Sequence, residues 1–231
     1  ANSYAEAPTV TADTLLQVPG VSDLPSVLVS SKILRAKDGT YLAAITYGAY
    51  LEHMALVGLR HTKDGDKHWL FPLERPVDTR ARTITTSYLM HCNVMGAAPV
   101  RPTLSLSLKD LDGDQKEEVI LEVNTCTIHR ALGSVKEREW RVFNLANPPQ
   151  RSLRVVLDES HPSYIKKGVL RLVDVNQDNH PDLVIEVTET RSANETPGGK
   201  TSRVEKRRDL YLYDTRSDRY VFSKNKSFRV P

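Results

Sequence analysis

Two short acidic segments hold the residues of this chain best suited to chemistry. Asp110, Asp112, Asp114 and Glu118 stand at positions 1, 3, 5 and 9 of DLDGDQKEE; Asp174, Asn176, Asp178 and Asp182 take the same places in DVNQDNHPD. Calcium asks for six to eight oxygens at about 2.3–2.6 Å, drawn from carboxylates, amides, backbone carbonyls and water. Side chains at alternate positions of a tight loop face one concave side and can close around one ion. Position 7 then adds a backbone carbonyl, from Lys116 in the first loop and His180 in the second, and position 9 completes the shell. One or two Ca2+ ions are therefore expected. Ligands drawn from a single short segment saturate the ion apart from a water or two, so its expected role is to pin a turn. Asp, Asn and Gly also favour solvated turns without any metal. Two gapless copies with oxygen at all four ligand positions weigh against that plainer reading.

The segments that must position these loops read as strands. TYLAAITYG (Thr40–Gly48), MALVGLRH (Met54–His61) and HWLFPL (His68–Leu73) are β-rich runs separated by the turn formers KDGT and KDGDK. TITTSYLMHCNVM (Thr83–Met95), TLSLSL (Thr103–Leu108), EVILEVNT (Glu118–Thr125), WRVFNL (Trp140–Leu145) and LRVVL (Leu153–Leu157) follow. The last third adds Gly168–Val175, Asp182–Thr190, Asp209–Asp214 and Arg219–Ser223. Leu104, Leu106 and Leu108 show the two-residue alternation of a half-buried strand. No segment of helical length keeps a 3.6 period; Leu15–Leu24 supports a short turn at most.

Asp110–Val123 aligns with Asp174–Val187 without gaps at an offset of 64 residues, counted from 110 to 174. Val135–Leu157 resembles Val204–Ser223 once the loop Ser192–Lys200 has absorbed a few residues. Each unit thus reads strand, acidic loop, strand, long loop, strand, turn, strand: a four-stranded antiparallel meander, the unit from which propeller blades are built. The expected fold is all-β, with repeated meanders in a partial or irregular propeller and a two-sheet sandwich as the alternative. Residues 1–27 read as an N-terminal tether. Residues 28–231 read as a single all-β domain with units near 28–98, 99–160 and 164–231, the first a diverged copy without its acidic loop.

The loops resemble the DxDxDGxxD calcium loop of integrin-α-type FG-GAP or VCBS repeats, in which a strand follows directly on the final acid. The resemblance covers about 14 residues twice and extends more loosely over each unit. The family's glycine at position 6 is Gln115 in one copy and Asn179 in the other; Asn tolerates a left-handed backbone and Gln does so less well. An EF-hand is excluded, because its position 12 requires a bidentate acid and here holds Leu121 or Ile185, within β-rich runs.

Composition narrows the function classes. The 32 basic and 29 acidic residues leave a net charge of +3, too balanced to indicate a nucleic-acid partner. The basic run Arg203–Arg208 reads as a solvated edge or loop. No apolar stretch approaches the roughly 18 residues of a membrane span. Cys92 and Cys126 fit either one disulfide in an oxidising compartment or two buried thiols; spacing alone leaves both open. No GxSxG, HExxH, P-loop or GxGxxG occurs, and no catalytic residue is assigned.

The Ala-, Pro-, Ser- and Thr-rich start and the calcium loops point to an exported, periplasmic or cell-surface protein, with membrane attachment only through an N-terminal lipid anchor upstream of this chain. In size, tether-like start and calcium-loop meanders it resembles bacterial periplasmic immunity lipoproteins that block lysozyme-like peptidoglycan hydrolases. That resemblance implies a non-enzymatic inhibitor inserting a loop into the hydrolase cleft. Ser192–Lys200, Ala146–Arg151 and Met95–Pro102 are the candidate loops, and Lys200 or Arg151 could pair with a catalytic acid. The competing classes are an adhesion or glycan-binding module, disfavoured by the 6% aromatic content, and a calcium-dependent hydrolase.

Overall fold

The computed structural model describes residues 10–48, 53–73, 102–129, 133–145, 149–161, 163–192, 202–223 and 228–230. The strand expected at Thr83–Met95, with Cys92, lies outside them. So do most of the candidate insertion loops, at 95–101, 146–148 and 193–200; Arg151, offered by the second of them, lies instead in the strand Gln150–His161. The described structure is all-β apart from one short helix. It divides into two compact units, Ala1–Arg75 and Pro76–Pro231, where one domain was expected.

In the first unit, helix α1 (Ala12–Leu16) is capped by Thr11, whose hydroxyl accepts from the Thr14 amide while the Thr14 hydroxyl accepts from Thr11 N–H. This reciprocal pair satisfies two of the amides that a helix start leaves open. The sheet runs β1 (Leu28–Val29), β3 (Tyr41–Tyr47), β4 (His53–Thr62), β5 (Gly65–Leu73), with β2 (Leu34–Arg35) also on β3. Gly39 and Gly65, in the two Asp-Gly turns, have φ of 88° and 111°, which glycine adopts without steric cost. Val10, Leu15, Val18 and Val21 are buried against Ala43, Ile45, Ala55 and Val57. From Val10 onward the expected tether is therefore core: its apolar residues, spaced too irregularly to announce a helix, close one face of the sheet.

The second unit is a continuous antiparallel meander. Its order is β6 (Thr103–Lys109), β7 (Glu118–His129), β8 (Gly133–Asn144), β9 (Gln150–His161), β10 (Tyr164–Val173), β11 (Asp182–Arg191), β12 (Arg203–Asp214), β13 (Arg219–Phe222). Strand β14 (Phe228–Val230) shares the β12 edge with β13. Strands β6–β9 and β10–β13 are the two sequence copies. They join where β9 and β10 pair through only three residues each, 159–161 with 164–166, before parting. Gly168 lets the strands cross there, since a Cβ at that position would lie 2.9 Å from the Leu157 carbonyl oxygen. Its amide donates to Asp158 Oδ1 at 3.0 Å, and Lys166 Nζ donates to Val156 O at 2.6 Å.

The two meanders pack on each other through Ile120, Val142, Leu153, Val155 and Leu157 of the first and Leu183, Ile185 and Val187 of the second. By the repeat, Leu183, Ile185 and Val187 correspond to Val119, Leu121 and Val123, which are buried on the opposite face of β7 from Ile120. Equivalent strands thus bury opposite faces, a head-to-tail contact between the two copies that fits either a partial propeller or a two-sheet sandwich. The basic run Arg203–Arg208 is not a loop: it lies inside β12, where Arg207 pairs with Glu189 and Asp209. Its charge hid a strand because the neutralising acids Glu186 and Glu189 stand across the ladder on β11, with Asp209 just beyond the run on β12.

Candidate metal centre

Both acidic loops sit between the first two strands of their meander, and both take a left-handed backbone at position 6, Gln115 with φ 70° and Asn179 with φ 69°. Position 4 is left-handed as well, Gly113 at 81° and Gln177 at 62°. The turn is therefore the one that glycine would suit, adopted here by three non-glycine residues. Side-chain acceptors hold it. Asp110 accepts from the amides of Gly113 (2.7 Å) and Gln115 (3.0 Å), as Asp174 does from Asp178 (3.2 Å) and Asn179 (3.0 Å). The closing acid of each loop accepts from the amide of position 2: Leu111 N to Glu118 Oε2 at 2.7 Å, and Val175 N to Asp182 Oδ2 at 3.0 Å.

In the first loop Asp110, Asp112 and Glu118 each turn a carboxylate oxygen to one place, all within 4.8 Å of one another. A cation with oxygens at about 2.3–2.6 Å spans about 5 Å from ligand to ligand, so the three oxygens fit one ion. Asp112 and Glu118 are buried. Burial pushes the Glu118 carboxyl up to about 7, with Asp112, Asp114 and Asp110 adding repulsion; the Leu111 amide offsets part of this. Buried acids crowded in this way are stabilised by a cation. Asp114 stands apart, its carboxyl held below the usual range by Lys116, whose Nζ donates to it at 2.7 Å. Both groups are substantially solvent-exposed, so a cation could displace that pair at little cost.

The second loop has the same frame with a different ligand set. Asn176 donates to Asp178 at 2.8 Å, and Asp178 accepts from the His180 amide at 2.9 Å. Asp182 is fully buried and also accepts from Tyr213 N–H at 3.0 Å. Among the described residues, no comparable cluster of acids forms there. Of the ten residues expected as ligands, the structure gathers Asp110, Asp112 and Glu118.

What the sequence did not foretell is that the loops touch. His180 Nδ1 lies 2.7 Å from the Asp112 carbonyl oxygen, so Nδ1 carries the hydrogen. A Cβ on Gly113 would lie 3.7 Å from Asn179 O and 3.8 Å from Pro181. Tyr220 donates to Leu111 O at 3.2 Å, and Tyr213 donates to Asp218, which also accepts from Asn144. Burial and the neighbouring Asp112 and Asp218 carboxylates raise the Tyr213 phenol far above its ordinary value. These partners are separated by up to 109 residues, and no local pattern links them. No protein-family model, curated protein or solved structure matches the chain.

Proposed function

We propose that this protein is an exported, non-enzymatic interaction protein whose first acidic loop holds calcium as a structural staple, and that its partner is a peptidoglycan hydrolase that it inhibits. The convergence of Asp110, Asp112 and Glu118 within 4.8 Å carries the metal part of this reading. Three carboxylates converging on a tight turn suit calcium better than magnesium, which keeps most of its own waters. Export is supported by Cys126, which is disulfide-bonded; such bonds persist in oxidising compartments. The inhibitor part rests on the resemblance to immunity lipoproteins.

Two measurements test it. Calcium should raise the melting temperature and chelator should lower it, bound ion at about 100 times its dissociation constant contributing about 2.7 kcal/mol. The purified protein should slow peptidoglycan digestion by a lysozyme-type hydrolase from a competing bacterium. An unchanged melt with calcium and chelator removes the staple, and undiminished digestion across a panel of such hydrolases removes the inhibitor.

A further inference from the structure

The outer face of the second meander departs from its counterpart in the first. On β10 the residues turned away from the core are Ile165, Lys167, Val169, Arg171 and Val173, an unbroken alternation of apolar and basic side chains. They share a face with Val184 and Glu186 of β11. Exposure is 43% at Ile165, 56% at Val169 and 47% at Val173. Val204 and Lys206 of β12 continue the surface, Val204 at 57% exposed.

The repeat supplies an internal control. Thr103, Ser105, Ser107 and Lys109 of β6 occupy the positions of Lys167, Val169, Arg171 and Val173, and they too are exposed. Their strand pairs and packs with hydroxyl groups outward. The valines are therefore not a requirement of the strand, although β-branched residues do favour one. Exposed apolar side chains gathered on one face mark a contact surface rather than scattered tolerance.

Charge names the kind of partner. Across the middle of the face the cations are the exposed Lys167, Arg171 and Lys206 and the half-buried Arg208, against one acid among the described residues, Glu186. Glu186 is shared between Arg171 at 3.6 Å and Arg208 at 3.2 Å. The net excess is positive and interleaved with apolar groups. We propose that this face docks an acidic protein, one presenting carboxylates among apolar side chains. A lipid surface fits less well, because interfacial anchoring uses Trp, Phe and Leu, and among the described residues the exposed apolar side chains of this face are valine and isoleucine. Three strands of about ten residues give about 500 Å2 of sheet, below the ~800 Å2 a side of a stable complex. The contact is thus a transient one, sensitive to salt.

The proposal shares with the function above only the premise of a binding protein, and requires neither the metal nor the hydrolase. Its test uses the full chain and the double variant V169S/R171S, which installs the first copy's residues and should melt as the wild type does. K167E/K206E is a second variant that keeps the apolar groups and reverses charge. Each is immobilised against a whole-cell extract of the source cells, and a captured protein that distinguishes them is identified, purified and titrated. The expected result is an acidic protein whose Kd weakens about tenfold or more in both variants and weakens further with salt. Equal capture by wild type and both variants overturns the proposal, as does a difference seen only with phosphatidylglycerol vesicles. Failure of hydrolase inhibition, measured separately, would fell the hydrolase reading while leaving face-dependent binding intact.

Discussion

Replacing Glu118 by Gln separates the electrostatic role of this residue from its structural one. The side chain is buried, and its Oε2 accepts the Leu111 amide at 2.7 Å. Gln keeps an acceptor for that amide and removes the charge. In the calcium-free protein, burial first and the neighbouring aspartates second lift the carboxyl from 4.5 to about 7. Its folded pKa is thus raised above its unfolded value. The folded state binds the extra proton, and the stability this brings is fully present below about 4.5 and is lost as pH rises through about 7. Above that pH the ionised carboxylate weakens the metal-free fold by an amount on the order of 3 kcal/mol. E118Q should therefore melt at or above the wild-type temperature at pH 8 in chelator, and near it at pH 4. With calcium at pH 8 the order reverses, because the wild type gains a charged ligand that Gln cannot replace. Calorimetric melts of both proteins, with calcium and with chelator at the two pH values, give the comparison. A variant that melts well below wild type in chelator at pH 8 would refute the repulsion, and an undiminished calcium shift would refute the ligand assignment.

Gln115→Gly removes a side chain from a left-handed position; relief of about 1–2 kcal/mol of strain less the cost of a looser unfolded chain leaves a gain of about 0.5–1 kcal/mol, readable by urea unfolding. Asp182→Asn leaves only one acceptor oxygen for the amides of Val175 and Tyr213 and turns a buried NH2 toward a donor, costing about 2–3 kcal/mol in the same assay. Gly168→Ala places a methyl 2.9 Å from the Leu157 carbonyl oxygen and 3.3 Å from Ile185 Cγ2. Backbone cannot swing aside there as a flexible side chain would, so a loss of about 1–3 kcal/mol is expected; a neutral result would show that the β9–β10 crossing is not tight.

The strands were legible because their signals are local. Leu104, Leu106 and Leu108 alternate, and the Asp-Gly turns mark hairpin ends. The loop frame was legible too, through the spacing of its acids and the repeat that doubles it. Other features were hidden because their causes are distant in sequence. The Arg203–Arg208 run reads as solvent-facing until Glu189 is seen across the ladder from it. Val10, Leu15, Val18 and Val21 lack a clean period because each packs where the sheet has room rather than along one helix face. Position 6 of each loop looked like a departure from the glycine pattern. The backbone takes the left-handed form regardless, with Gly113 relieving only position 4 of the first copy.

The contact between the two loops bears on what a bound ion would stabilise. A cation held by Asp110, Asp112 and Glu118 alone would tighten one turn between β6 and β7. That turn also receives Tyr220 from β13 on the Leu111 carbonyl and His180 from the second loop on the Asp112 carbonyl. Fixing the loop backbone fixes the acceptors for both, so part of the binding free energy would reach the packing of one meander on the other. Loops outside the regular elements are where local opening is easiest, and this end of the meander pair gathers two of them beside the turn that carries Asp218. A staple at the first loop thus acts at the end of the meander pair where loop contacts join the two copies. The second loop can contribute by presenting His180 and Asn179 to its neighbour even where its own ligand set, with Asn176 in place of a third-position acid, binds an ion more weakly.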